Sequence, residues 1–153
     1  VDVVNAQVIN ASDGYALQSF RLAPISTDNV EMSLVAEQII HLLEDRLSNT
    51  EKTSDAVIGS NIKHKHFSSP TVITYKEAND INATRLKIET LDRTGVLANI
   101  AKALNDCDLR LLSARIATAG EMATDNFVIS TRQDQPLSAD QKQTLQKTLK
   151  EIL

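Results

Sequence analysis

The sequence predicts an α+β fold built on an antiparallel sheet, and three observations predict it. Between Leu86 and Leu104 the chain passes from two-residue alternation to helical spacing across a glycine turn. A strand, strand, helix pattern occurs near both ends of the 153 residues. In each occurrence the helix is preceded by a capping-box spacing, Asp28 to Glu31 in the first and Ser138 to Gln141 in the second.

Taken in order, Val4, Ala6 and Val8 alternate with Asn5, Gln7 and Ile9, Ser12-Asp13-Gly14 breaks the pattern, and Leu17 to Leu22 resume it around Phe20. This predicts an antiparallel strand pair. After Pro24, apolar residues at Met32, Val35, Ala36, Ile39, Ile40, Leu43 and Leu47 predict an amphipathic helix ending near Ser48. His41 falls on its polar side and reads as a solvated histidine, because no Cys, His or carboxylate stands at a spacing that closes a metal site.

Residues 49–69 are polar, lack periodicity and read as a linker. The run Lys63-His64-Lys65-His66 within it reads as solvated charge, since two alternating histidines make an incomplete metal site. The β-branched run Thr71-Val72-Ile73-Thr74-Tyr75 predicts a strand, and Asn79-Asp80-Ile81-Asn82 bends the chain toward the next one.

In that next strand Leu86 and Ile88 alternate with Lys87 and Glu89; after Asp92-Arg93-Thr94-Gly95, apolar positions fall at Leu97, Ile100, Ala101 and Leu104. The first turn of a helix has N–H groups without internal partners, so the backbone around Gly95 and Val96 is expected to offer unpaired donors and a positive dipole end. Such a turn can receive an anion. Asp92 adds a carboxylate beside it, and the pair of features suits the two ends of a free amino acid. The bland alternative is that Asp92 and Thr94 cap the helix and Gly95 only permits the turn.

Further on, Leu112, Ala114 and Ile116 alternate with Ser113, Arg115 and Ala117, Gly120 marks a turn, and a strand follows around Phe127 and Ile129. Leu145, Leu149, Ile152 and Leu153 carry the apolar face of a last helix. Asn5-Ala6-Gln7-Val8 matches Ser113-Ala114-Arg115-Ile116, and Phe20 matches Phe127, so the chain contains an internal repeat. The first copy lacks the opening strand and helix. The second reads strand, helix, strand, strand, helix, and a further strand would complete the split βαβ pattern of a ferredoxin-like fold. The strand at 71–75 serves either as the last strand of the first copy or as a substitute edge for the second.

The run Leu91-Asp92-Arg93-Thr94-Gly95-Val96-Leu97 resembles the Asp-Arg-Pro-Gly-Leu-Leu signature of ACT domains, modules that bind amino acids and regulate metabolic enzymes. Ser113-Ala114-Arg115-Ile116-Ala117-Thr118, Gly120-Glu121 and Asp125-Asn126-Phe127-Val128-Ile129 are similar to strands of the C-terminal ACT modules in the family of bifunctional protein-PII uridylyltransferase/uridylyl-removing enzymes. Asn5-Ala6-Gln7-Val8-Ile9, Asp13-Gly14-Tyr15-Ala16 and Phe20 resemble the preceding module. Thr94 stands where the family has proline, so this turn is less pre-set in backbone angle.

The resemblance implies a partial ACT module over 1–48, the linker over 49–69, a strand and connection over 70–83, and a second module over 84–153. It further implies glutamine as effector, with Asp92, Arg93, Thr94, Gly95, Val96 and Leu97 as the effector-binding residues. The catalytic nucleotidyltransferase and phosphohydrolase domains, and any magnesium they use, would lie outside this segment, with the PII protein as a partner of the whole enzyme. A free-standing amino-acid-responsive regulator and a structural dimerisation module are the alternatives.

Composition narrows the classes. A hydrophobic content of 42% is ordinary for a globular core. No apolar run approaches the roughly 20 residues a membrane helix needs, and the first residues lack a secretion-signal pattern. Starting at Val1 suggests a piece of a longer protein. Cys107 alone cannot form an internal disulfide and reads as a small core residue, which fits a cytoplasmic setting. A net charge of −4 gives no reason to expect nucleic acid or anionic membrane.

No nucleophile is paired by spacing with a histidine, no phosphate loop of the P-loop type occurs, and no His/carboxylate cluster suggests a metal, so neither catalytic nor metal-ligating residues are expected. Arg93 is the only candidate for an acylphosphatase-like phosphate cradle and reads as a solvated turn residue. Aromatic residues make up 3% of the chain and none lies in 85–91, so an RNA-stacking platform is missing. The incomplete first copy would expose sheet edge, and an exposed edge predicts pairing of two chains.

Overall fold

A computed structural model describes residues 2–11, 15–23, 32–48, 71–78, 80–93 and 95–153. The described residues form an α+β fold with one six-stranded antiparallel sheet and three helices. The strands are β1 (Asp2–Asn10), β2 (Ala16–Ala23), β3 (Val72–Ala78), β4 (Ala83–Leu91), β5 (Leu109–Ala119) and β6 (Met122–Thr131). The helices are α1 (Met32–Ser48), α2 (Val96–Asp106) and α3 (Ala139–Ile152). The spatial order β2-β1-β5-β6-β4-β3 is compatible with ferredoxin-like modules.

Residues directly opposite on neighbouring strands share a face. One row runs Phe20, Ala6, Ile116, Asp125, Ile88, Ile73 across all six strands. The row beside it runs Gln18, Val8, Ala114, Phe127, Leu86, Tyr75. These rows form the inner face, where Leu86, Ile88, Ile116 and Phe127 are buried with Val96, Ile100 and Leu104 of α2 and Leu145 and Leu149 of α3. Each such side chain contributes roughly 1.5–3 kcal/mol on leaving water.

The entry to α3 is pinned by the buried bond from the Leu137 N–H to Thr84 Oγ1, 2.9 Å, and the capping box at Ser138 and Gln141 forms as the spacing predicts. On α2 the buried alanine is Ala103, whereas Ala101 is exposed. Alanine is too small for periodicity to say which of two faces it takes.

The repeat extends to irregularities. The β1–β2 ladder shifts register between Val3 and Asn5, and the β5–β6 ladder shifts between Leu111 and Ser113. Val4 and Leu112 are thus extra residues of bulges at matching positions. Val3 and Leu111, rather than Val4 and Leu112, pack against the core. In both copies the next core position is an alanine opposite a phenylalanine: Ala6 with Phe20, Ala114 with Phe127.

β3 pairs with β4 and forms the outer edge, so it substitutes for the closing strand of the second copy. The first copy is covered differently. Phe20 is 44% exposed where Phe127 is 4% exposed, and Leu34, Ile40, Leu42 and Leu43 of α1 are also exposed. Only Val35 and Ile39 are half-buried along the described face of α1. The expected capping residues Asp28 and Glu31, the turn at 12–14 and the linker at 49–69 with its Lys63-His64-Lys65-His66 run lie outside the described residues.

Candidate functional site

Five of the six sequence-predicted effector residues meet at one corner, where β4 ends and α2 begins; Thr94 lies outside the described residues. Asp92 extends the β4–β6 pairing by donating its N–H to the Glu121 carbonyl at 2.8 Å. Gly95 is the N-cap of α2 with φ 90°, a left-handed value that side chains with a Cβ seldom adopt. The turn therefore requires glycine there.

Gly95 has no side chain with which to cap α2, and the first turn of the helix holds no acidic residue. One expectation needs correction: the Val96 N–H is not free, because it donates to the Arg93 carbonyl at 3.1 Å, closing the tight turn. The first helical bond follows from Asn99 to Gly95 at 2.9 Å. Val96 is buried in the core, while Asp92, Gly95 and Leu97 are half-buried. The positive end of the α2 dipole is left without a compensating side-chain charge in its own first turn.

Arg93 is exposed, but it is more than a solvated residue. Its Nη2 donates to the Leu153 carbonyl, and Asn99 Nδ2 donates to the Ile152 carbonyl at 3.2 Å. The corner thereby caps the C-terminal end of α3, where a cation is favoured. α2 and α3 are held together at the level of the turn.

A residue that sequence reasoning did not single out for the site lies inward of the corner. Asp125 is 1% exposed on the helix-covered face, in a row between Ile116 and Ile88, and its Oδ1 has no hydrogen-bond partner. Burial pushes its pKa up to about 6, a hydrogen bond from the Ala117 backbone opposes this, and the negative charge of Asp92 adds to the rise. The signal available in the sequence was parity: counting from Phe127, Asp125 falls on the core side. Its counterpart in the first copy is Gln18, which is neutral and exposed.

Two carboxyl groups that influence one another, Asp92 and Asp125, therefore belong to this corner of the sheet, and the first turn of α2 adds no further acid. Such a corner can complement an ammonium with the carboxylates and an anion with the helix end. Among the described residues no group of three or more His, Cys, Asp or Glu could hold a metal ion. Cys107 is half-buried against the core at the end of α2. No described helix is long and apolar enough to cross a membrane.

The sheet, its two covering helices and this corner make an α+β module compatible with the ACT type. The relatives are more specific. Over 97% of its length the chain is 32% identical to the bifunctional uridylyltransferase/uridylyl-removing enzyme of Pasteurella multocida, and 30% identical to that of Nitrosococcus oceani. It is 33% identical over its whole length to the same enzyme of Psychrobacter arcticus. The chain is thus a homologue of part of the bifunctional uridylyltransferase/uridylyl-removing enzymes, and it spans 17% of the length of these relatives. No family model matches the chain, and no solved structure matches it.

Proposed function

We propose that this chain is the C-terminal, amino-acid-sensing portion of a uridylyltransferase/uridylyl-removing enzyme, made of two ACT modules. Residues 1–48 form part of the first, 49–69 the linker, and 84–153 with the strand from 70–83 the second. Glutamine is the effector. It binds at Asp92, Arg93, Thr94, Gly95, Val96 and Leu97 in the second module and controls cytoplasmic catalytic domains acting on the PII protein. Magnesium belongs to those domains, and the chain itself contributes no catalytic residue.

The observation that carries this reading is the start of α2 at Gly95, whose first turn holds no acidic residue and which follows Asp92, a carboxylate whose charge reaches the buried Asp125. The curated relatives support the choice of enzyme. A ligand seated there touches β4, α2 and, through Arg93, the end of α3. It can shift the whole enzyme only by the difference in its affinity for two arrangements of the modules. Exposed apolar surface on β2 and α1 supports pairing of this segment with a second copy.

A thermal-shift screen of free amino acids against the parent enzyme tests the reading, because a ligand that prefers the native state raises its apparent stability. Glutamine is expected to raise the melting temperature more than the other amino acids do. A flat response to all of them would overturn the proposal.

A further inference from the structure

The face of the sheet turned away from α2 and α3 holds a cavity of about 730 Å³ that crosses the β1–β5 seam. Its lining includes four cationic side chains, Lys76, Arg85, Lys87 and Arg115, against one carboxylate, Glu89. The chain as a whole carries −4, so this face departs from its surroundings. Lys76 stands directly opposite Arg85 in the β3–β4 register. Like charges in that position repel and cost stability unless something neutralises them.

The protein supplies only part of that neutralisation. Arg85 reaches Asp80 at 3.2 Å and Lys87 reaches Glu89 at 3.0 Å. Among the described residues, Lys76 and Arg115 have no ion-pair partner, and both are exposed. Between the cations lie neutral hydrogen-bonding groups: Arg115 is flanked by Gln7 on β1 and Asn126 on β6, and Lys87 by Thr74 on β3.

We propose that this face binds a compact polyanion, a small molecule bearing a diphosphate or triphosphate chain, held between Lys76 and Arg115 with Lys87 beneath it. β3 and β5 are three strand spacings apart, about 14 Å, and the long cationic side chains close much of that distance. A linear phosphate chain can touch both ends, whereas one phosphate cannot. The cavity is of the size that takes a small ligand. Phe127 borders the cavity but is packed in the core and only 4% exposed, so it presents no open ring on which a base could stack, and recognition is of the phosphates. This site is separate from the amino-acid corner, which lies on the other side of the sheet, and does not rest on it.

The test uses the 153-residue chain at low salt, with inorganic tripolyphosphate and orthophosphate as probes, read by calorimetry and by backbone amide NMR. Tripolyphosphate is expected to shift the amides of Gln7, Arg115 and Asn126 and to bind at least tenfold more tightly than orthophosphate. The double variant Lys76→Ala/Arg115→Ala is expected to weaken it at least tenfold, with an unchanged far-UV spectrum. Arg115→Gln, which places on β5 the residue that β1 already has, gives a milder second variant and is expected to weaken binding severalfold. Shifts that map elsewhere, equal binding in the variants, no binding, or a response to polyglutamate but not to tripolyphosphate would each overturn the proposal.

Discussion

Gln7 lies directly opposite Arg115 in the β1–β5 ladder, and the two occupy the same position in the two copies of the repeat. Around them the pairs are exchanged: Ala6 faces Ile116 and Val8 faces Ala114. The copies are thus related by an approximate two-fold axis through this pair, as the halves of a symmetric dimer would be. The seam is the line along which the halves share one core. Ala6 is 1% exposed there, packed beside Ile116. Ala6→Leu is expected to overpack the seam and lower stability by about 1–3 kcal/mol, measured by urea unfolding. An unchanged midpoint would show that the seam is not closely packed.

Phe20 and Phe127 separate the contributions of the two copies. Phe127→Ala empties a site closed by α2 and α3 and is expected to cost about 3–5 kcal/mol. Phe20→Ala, at a position 44% exposed, is expected to cost less than about 1 kcal/mol. Thermal melts of the two variants check this, and equal losses would mean that the first copy is as well covered as the second.

The Asp125 carboxyl makes stability depend on pH. Its folded pKa, about 6, lies above the value of an unfolded chain, so the folded state binds the proton more tightly. The resulting contribution is complete below the unfolded pKa and is lost as pH rises through 6. Relative to Asp125→Asn, the wild-type protein should lose on the order of 2 kcal/mol between pH 4 and pH 7.5. Denaturant titrations at the two pH values would show this, and parallel behaviour of the two proteins would exclude it.

Ser138→Ala removes one half of the capping box at α3 and should cost about 1 kcal/mol. Arg93→Ala should instead fray the other end of α3 by up to about 1 kcal/mol, because it removes a cation from the last carbonyls. Amide exchange along α3 distinguishes the two: protection falls first near Gln141 in one variant and near Leu149 in the other.

Much of this was legible in residues 83–153. The change of period at Gly95, the Ser138 box and the alternation around Phe127 each have a local cause, and each appears as predicted. What depended on partners was not legible. The β-branched run before Tyr75 declares a strand, but nothing in it names β4 as its neighbour. The bulges at Val4 and Leu112 are set by pairing, so simple alternation put the wrong residues on the core side. A charged residue within a strand invites an outward placement, which concealed Asp125. The apolar spacing of α1 was visible, yet its described side chains are mostly exposed, since periodicity states what a helix could bury and not whether a cover is present.

The most direct measurement of the central claim is calorimetric titration of glutamine into the parent enzyme and into its Gly95→Val variant. Valine cannot relax into the φ of 90° at that turn, so the start of α2 must move while the rest of the sheet stays in place. Heat of binding in the wild-type enzyme and none in the folded variant is the predicted result. The same heat in both proteins, or none in the wild type, would contradict an amino-acid site at the junction of β4 and α2.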